Sequence, residues 1–186
     1  MKELSLNILD IAGNSVKAEA TLIRIELTET DKTLLISISD DGYGMTAEKV
    51  AKVTDPFFTS RTTRKVGLGI PFFKLAAEQT GGEFLIVSRS RDEYPDSHGT
   101  TTSALFYKDS IDFTPLGDVI STVCTLIQGN DDIEFLYTHD IKTESREAYV
   151  KLDTTELKAV LGGIPLSEPE ILSWIKDYLT EQYNTD

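Results

Sequence analysis

The stretch Leu34-Leu35-Ile36-Ser37-Ile38-Ser39-Asp40-Asp41-Gly42-Tyr43-Gly44-Met45 decides how this chain is read. Its first six residues are apolar or alternate, which predicts a buried strand. The strand delivers two carboxylates and then two glycines into a turn. Glycine serves where the backbone takes a positive φ or where another group must come close. A carboxylate just before such a turn can accept hydrogen bonds from a ligand amine. The D-x-G-x-G spacing alone also suits an ordinary loop. Two other features shift the balance: Asn14 on an upstream helix, and a second glycine pair, Gly67-Leu68-Gly69, that opens a later helix.

Upstream, residues 3–18 carry Leu4, Ile8, Ile11 and Ser15 at helical spacing, with Leu9, Ala12 and Val16 beside them. A narrow polar stripe of Asn7, Asp10, Asn14 and Lys17 occupies another face. The pattern predicts a helix buried on most sides that turns one polar edge into a cleft. Residues 21–28 and 33–39 alternate and predict a hairpin. Thr46 is placed to cap a short helix through Val53, which Asp55-Pro56-Phe57-Phe58-Thr59-Ser60 ends. Beyond Gly67-Leu68-Gly69 a helix is expected over 70–80, closed by Gly81-Gly82. A glycine-rich helix start leaves backbone N–H groups at a positive dipole end, which suits phosphate. Strands are expected over 83–89 and 99–107, joined by the polar loop 90–98.

The 186 residues hold 18 Lys and Arg against 31 Asp and Glu, a net charge of −13 that argues against a nucleic-acid or acidic-membrane surface. The charge is uneven. Residues 1–108 hold 13 basic and 15 acidic residues, whereas residues 109–186 hold 5 and 16. Against that background residues 59–74 carry Arg61, Arg64, Lys65 and Lys74 and no acid, which suits either a bound polyanion such as a nucleoside triphosphate or a solvated loop. One cysteine, Cys124, is read as a small core residue. His98 is read as a loop residue and His139 as isolated, so no metal cluster is expected. No run is apolar enough to span a bilayer, and the first residues lack a signal-peptide core, so a cytoplasmic location is expected.

From residue 109 the character changes. Leu116, Val119, Ile120, Val123, Leu126 and Ile127 predict an amphipathic helix. Two strands are expected over 133–138 and 148–152. Asp153 with Glu156, closed by Gly162-Gly163, brackets a short helix, and Ser167 with Glu170 starts another. This part holds no glycine-rich or metal pattern. Its apolar faces are expected to pack on the preceding domain or on a partner.

Five motifs in order resemble those of the Bergerat-fold ATPases, the superfamily of gyrase, heat-shock chaperone, histidine kinase and MutL-type mismatch repair proteins. Ile11-Ala12-Gly13-Asn14-Ser15 is similar to the asparagine box, and Asp40 to Met45 to the first glycine box. Asp55 to Ser60 is similar to the phenylalanine box of histidine kinases, Gly67-Leu68-Gly69-Ile70 to the second glycine box, and Gly99-Thr100-Thr101 to the closing one. The resemblance covers residues 3–107. It implies an α+β fold, a Bergerat-type α/β sandwich whose mixed sheet is covered on one face by helices. That fold fills an ATP-binding domain over 1–108, and a small acidic α/β appendage occupies 109–186.

The resemblance also implies roles and the cofactors ATP and Mg²⁺. Asn14 would ligate the metal through its amide oxygen. Asp40, rather than Asp41, would accept from the adenine amine. Gly42 and Gly44 would admit the base, with Lys17, Met45, Phe58 and Leu68 around the nucleotide. Gly67 and Gly69 would offer amides to the phosphates, Arg61 and Lys65 would meet their charge, and Thr101 or Thr100 would hold adenine. Asp10 stands where gyrase-type and chaperone members carry the water-activating glutamate, one methylene shorter. No dimerisation helices with a phosphoacceptor histidine precede residue 3, so a self-contained histidine kinase is not expected. Pro115-Leu116-Gly117-Asp118 and the segment after it resemble small stand-alone ATP-binding proteins of anaerobic bacteria, some encoded beside iron-hydrogenase subunits. This implies a protein partner, in a regulatory or redox-enzyme complex. Three functions stay open: a Mg²⁺-ATP-binding regulatory protein with slow hydrolysis, a trans-acting Ser/Thr kinase of anti-sigma-factor type, and a non-catalytic nucleotide-gated interaction module.

Overall fold

A computed structural model of the chain describes residues 3–55 and 68–184. The order of elements is α1 (Leu4–Lys17), β1 (Leu22–Thr30), β2 (Thr33–Asp40), α2 (Ala47–Val53), α3 (Gly69–Gln79), β3 (Glu83–Arg89) and β4 (Gly99–Tyr107). Then come α4 (Val119–Gly129), β5 (Glu134–Lys142), β6 (Glu147–Asp153), α5 (Thr154–Leu161) and α6 (Pro169–Asn184). The strands form one mixed sheet in the order β3-β4-β2-β1-β5-β6. This is the α+β architecture expected from the motifs.

Period-two patterning sets the faces of the sheet. Ile23, Ile25 and Leu27 of β1 are buried while Arg24, Glu26 and Thr28, which alternate with them, are exposed. Ile36 and Ile38 of β2 and Ala104 and Phe106 of β4 continue the buried face. Helices cover that face and leave the other open. The apolar stripe of α1, Leu4, Ile8, Ile11 and Ala12, packs on it with Phe73 and Ala77 of α3. Each of the Leu, Ile and Phe side chains contributes about 1.5–3 kcal/mol of transfer free energy on burial.

Residues 109–186 extend the same sheet. β5 lies parallel to β1, with Ile25 opposite Tyr137, and β6 is antiparallel to β5. Phe135, Tyr137, Val150, Leu152, Ile175 and Leu179 join the core that holds Ile23 and Ile36, so this segment packs on the rest of the chain. Cys124 packs partly buried against that core.

Two expectations need correction. Leu116 does not begin a helix; α4 starts at Val119 behind the cap Asp118, whose carboxylate accepts from Ser121 N–H at 2.9 Å. The carbonyls of Pro115 and Leu116 instead accept from the N–H groups of Leu4 and Ser5 at 2.9 and 2.8 Å. The segment thereby satisfies the start of α1, which has no side-chain cap. Nor is His139 isolated. It is 1 % exposed, its Nδ1 lies 2.8 Å from the Tyr183 hydroxyl, and its Nε2 lies 3.2 Å from Glu29 Oε2. Parallel pairing of β1 with β5 brings these distant residues together. Among the described residues no helix is long and apolar enough to cross a membrane.

Candidate functional site

The turn after β2 folds under the end of α1 and the end of β3. Tyr43 N–H donates to the Ala18 carbonyl at 2.9 Å, and Arg91 N–H donates to the Tyr43 carbonyl at 2.8 Å. His98 Nδ1 lies 2.5 Å from the Gly42 carbonyl oxygen, so the loop histidine anchors the same turn. Gly44 has φ +64°, and a Cβ there would stand 1.8 Å from the Arg89 carbonyl oxygen. A Cβ on Gly42 would stand 2.6 Å from the Ala18 carbonyl oxygen. Both glycines therefore let one stretch of backbone approach another.

The neighbouring carboxylates part company here. Asp41 turns back to β1 and accepts from Thr21 N–H (2.7 Å), Thr21 Oγ1 (2.5 Å) and Leu22 N–H (2.9 Å). Burial pushes its pKa up, and these hydrogen bonds outweigh it and hold the carboxyl below its ordinary value. Asp40 turns inward. Its Oδ2 accepts from Ser15 Oγ at 2.5 Å, and its Oδ1 accepts from Gly42 N–H at 2.9 Å and Thr100 N–H at 3.3 Å. A carboxylate offers about four acceptor sites. Three are used among the described residues, and Asp40 lines a cavity.

That cavity holds about 250 Å³ and joins Asn14 to Asp40. Of the sequence-predicted residues, Asn14, Lys17, Asp40, Gly44 and Met45 line it. Ile11, Met45, Val53 and Ile70 give it apolar walls suited to a flat ring, and Lys17 and Lys49 give it positive charge. Lys49 Nζ also sits 5.3 Å from the centre of the Tyr43 ring.

Other predicted residues stand elsewhere. Strand alternation turns Thr100 and Thr102 into the cavity and Thr101 to the other face, so Thr101 does not line it. Gly42 supports the turn from behind. Asp10 is exposed and abuts Gly69, where a Cβ would lie 2.9 Å from its own Cβ; neither lines the cavity. Leu68 is 43 % exposed and precedes α3, whose first turn has no side-chain cap among the described residues. Asn7 is buried, and its Nδ2 has no partner among the described residues. The polar stripe of α1 thus splits: Asn14 and Lys17 face the cavity, Asp10 faces α3, and Asn7 enters the interior. Phe58, Arg61, Lys65 and Gly67 lie outside the described residues.

Sequence reasoning missed Ser15, Lys49 and Thr102. Ser15 left a signal, a hydroxyl in an otherwise apolar stripe, and that hydroxyl holds Asp40. Among the described residues no group of three or more His, Cys, Asp or Glu is placed to hold a metal ion.

The profile of a family described as "Histidine kinase-, DNA gyrase B-, and HSP90-like ATPase" matches residues 2–110. Among curated proteins, the chain is similar to sensor protein KdpD of Clostridium acetobutylicum, 29% identical over 94 residues, covering 48% of this chain and 10% of that protein. It is also similar to sporulation kinase C of Bacillus subtilis, 27% identical over 90 residues, covering 48% and 21%. The chain thus spans only a small part of these relatives. Among solved structures it is similar to the Aquifex aeolicus MutL ATPase domain complexed with ADP, at 17% identity and TM-score 0.54, covering 87% of this chain and 70% of that one. The N-terminal domain of a DNA repair protein matches at 13% identity and TM-score 0.53, covering 82% and 53%. A share of 87% exceeds what residues 2–110 supply, so the common fold reaches into the C-terminal segment.

Proposed function

Because the chain belongs to the histidine kinase-, DNA gyrase B- and HSP90-like ATPase family, we propose that its cavity binds Mg²⁺-ATP and that the protein is a nucleotide-dependent regulator with slow ATP hydrolysis. The observation that carries this is one cavity bounded by the amide of Asn14 and the carboxylate of Asp40. Asp40 accepts from the adenine amine, and the apolar walls sandwich the ring. The phosphates run towards the first turn of α3, where backbone N–H groups and the helix dipole favour negative charge.

The residues fit magnesium in a limited way. Asn14 supplies a hard oxygen, and no carboxylate cage surrounds it among the described residues. Mg²⁺ commonly keeps several waters and takes most of its remaining ligands from substrate phosphates. Bound there, the ion would offset phosphate charge. Asp10 beside Gly69 is the candidate base for an attacking water, and its short side chain and exposed position account for slow turnover. The same exposure leaves Asp10 reachable by a partner's hydroxyl, the observation that favours the second reading, a trans-acting Ser/Thr kinase. A protein partner, in a regulatory or redox-enzyme complex, belongs to either reading.

Isothermal titration of the full chain with ATP, with and without Mg²⁺, tests the binding. The expected result is saturable binding that magnesium tightens, with that tightening lost in Asn14→Ala. No heat at millimolar ATP would overturn the proposal. γ-Labelled ATP then separates hydrolysis, seen as released phosphate that falls in Asp10→Asn, from transfer, seen as label on a polypeptide.

A further inference from the structure

The sheet has two outer strands, and the fold treats them differently. On β6 the outward N–H and C=O of Lys151 are both taken by the side-chain amide of Gln182, at 2.8 and 3.0 Å. α6 thus caps that edge at Lys151. On β3 nothing comparable occurs among the described residues. Tyr107 N–H reaches Thr80 Oγ1 and Thr100 N–H reaches Asp40, so the odd-numbered residues of β4 point their backbone towards β3. With Glu83 opposite Leu105 and Leu85 opposite Ser103, the odd residues of β3 bond β4. Phe84, Ile86 and Ser88 therefore direct their N–H and C=O groups outward. A bare edge of this kind is a template for another strand.

The side chains of β3 specify which strand fits. Glu83, Leu85, Val87 and Arg89 share the open face and are all exposed, Leu85 by 60 % and Val87 by 53 %. Glu83 and Arg89 form no ion pair among the described residues; the Arg89 guanidinium lies 5.5 Å from the Tyr94 ring centre. Place a second copy antiparallel about a two-fold axis at Ile86. Ile86 then meets Ile86 as a hydrogen-bonded pair, and Phe84 meets Ser88, which is the parity the outward groups require. Glu83 meets Arg89 of the second copy, twice by symmetry, and Leu85 meets Val87. Opposite charges and apolar pairs directly across strands are both favourable.

We propose that β3 is a self-association edge through which two copies form one continuous twelve-stranded sheet. The uneven charge of the chain suits this arrangement. The acidic segment 109–186 sits at the opposite end of the sheet, so the two β5 strands would stand nine strand spacings apart. At roughly 4.8 Å each that is about 43 Å, several times the Debye length of about 8 Å. The half that meets at the joint is nearly neutral, with 13 basic and 15 acidic residues. One strand from each copy makes a small interface, below the roughly 1,200 Å² of standard complexes, so the dimer is weak. None of this rests on the nucleotide reading.

Sedimentation velocity on the full chain, from low micromolar to several hundred micromolar, tests it. The native chain is expected to pass from monomer to dimer over that range. Glu83→Arg and Arg89→Glu, each setting two like-charged pairs across the joint, should weaken dimerisation by at least about tenfold. An equimolar mixture of the two variants should restore it, because Arg at 83 of one then faces Glu at 89 of the other. The double reversal Glu83→Arg with Arg89→Glu should dimerise like the native chain, and far-UV circular dichroism confirms that each variant is folded. A native chain that stays monomeric throughout, single reversals that leave the dimer constant unchanged, or a mixture no tighter than its parts would each overturn the proposal.

Discussion

Asp40 and Asp41 share a chemistry and differ only in which way the strand end turns them. This separates their mutants. Asp40→Asn keeps the shape and should weaken ATP binding by about 1.5–3 kcal/mol, read by titration calorimetry, because a charged hydrogen bond to the base becomes a neutral or mismatched one. Asp41→Asn should leave ATP affinity near native and lower the unfolding free energy by about 1–3 kcal/mol, since it holds two backbone N–H groups and a hydroxyl at the start of β1. Equal effects on affinity would contradict the assignment. Gly44→Ala should cost about 2–3 kcal/mol in urea unfolding, because both the positive φ and the Arg89 carbonyl oppose a side chain there. That Asp40 rather than Asp41 lines the cavity was legible, because the D-x-G-x-G spacing marks its first position. The side of the closing strand that faces the cavity was not. Thr100, Thr101 and Thr102 are chemically alike, and only the pleat tells them apart.

At the scale of elements, periodicity located β1, β2, β3 and β4 and the core faces of α1 and α3 because each carries its burial pattern within itself. It failed where a backbone group of one element is satisfied by another. Leu116 matches the apolar period of α4, yet its carbonyl belongs to the start of α1, across more than a hundred residues. The true start of α4 is the Asp118 cap. Asp118→Ala should therefore lower stability by about 1 kcal/mol, measured by urea unfolding at pH 7. The Ser121 bonds hold this carboxyl below its ordinary pKa, so its contribution is present above the ordinary carboxylate range and fades as the pH falls through it. An unchanged unfolding midpoint at pH 7 would remove the cap from the account of α4.

Across the whole molecule, the two sequence segments are tied by a polar chain that no local pattern shows. Glu29 of β1, Lys108 after β4, His139 and Tyr137 of β5 and Tyr183 of α6 meet at one end of the covered face. Lys108 Nζ lies 2.5 Å from Glu29 Oε1, the Tyr137 and Tyr183 hydroxyls lie 2.5 Å apart, and Arg146 donates to the Tyr183 carbonyl. Burial pushes the Tyr183 phenol up to about 12 and that of Tyr137 well above its usual value, so both keep their protons. One arrangement gives each hydroxyl hydrogen an acceptor: Tyr137 donates to Tyr183, and Tyr183 donates to Nδ1 of His139, whose Nε2 lies beside Glu29. The imidazole beside Glu29 is the largest influence on that carboxyl; burial opposes it, Lys108 reinforces it, and the net result is a pKa of about 2 against an ordinary 4.5. A depressed carboxyl pKa stabilises the fold above the unfolded value and loses that effect as pH falls towards the folded one. The shift corresponds to about 3 kcal/mol, present above pH 4.5 and lost between about pH 4.5 and 2. Thermal unfolding measured from pH 7 down to pH 2.5 should show this acid limb in the native chain. Glu29→Gln should lower the midpoint at pH 7, flatten the limb, and bring the two curves progressively closer as the pH falls towards 2.5, because protonation then begins to do to the native chain what the substitution has already done. Curves that stay parallel across that range would place the acid sensitivity elsewhere. Tyr183→Phe should cost about 1–3 kcal/mol at pH 7 without flattening the limb, since it strands a buried acceptor on His139 and leaves the Glu29 carboxylate with Lys108.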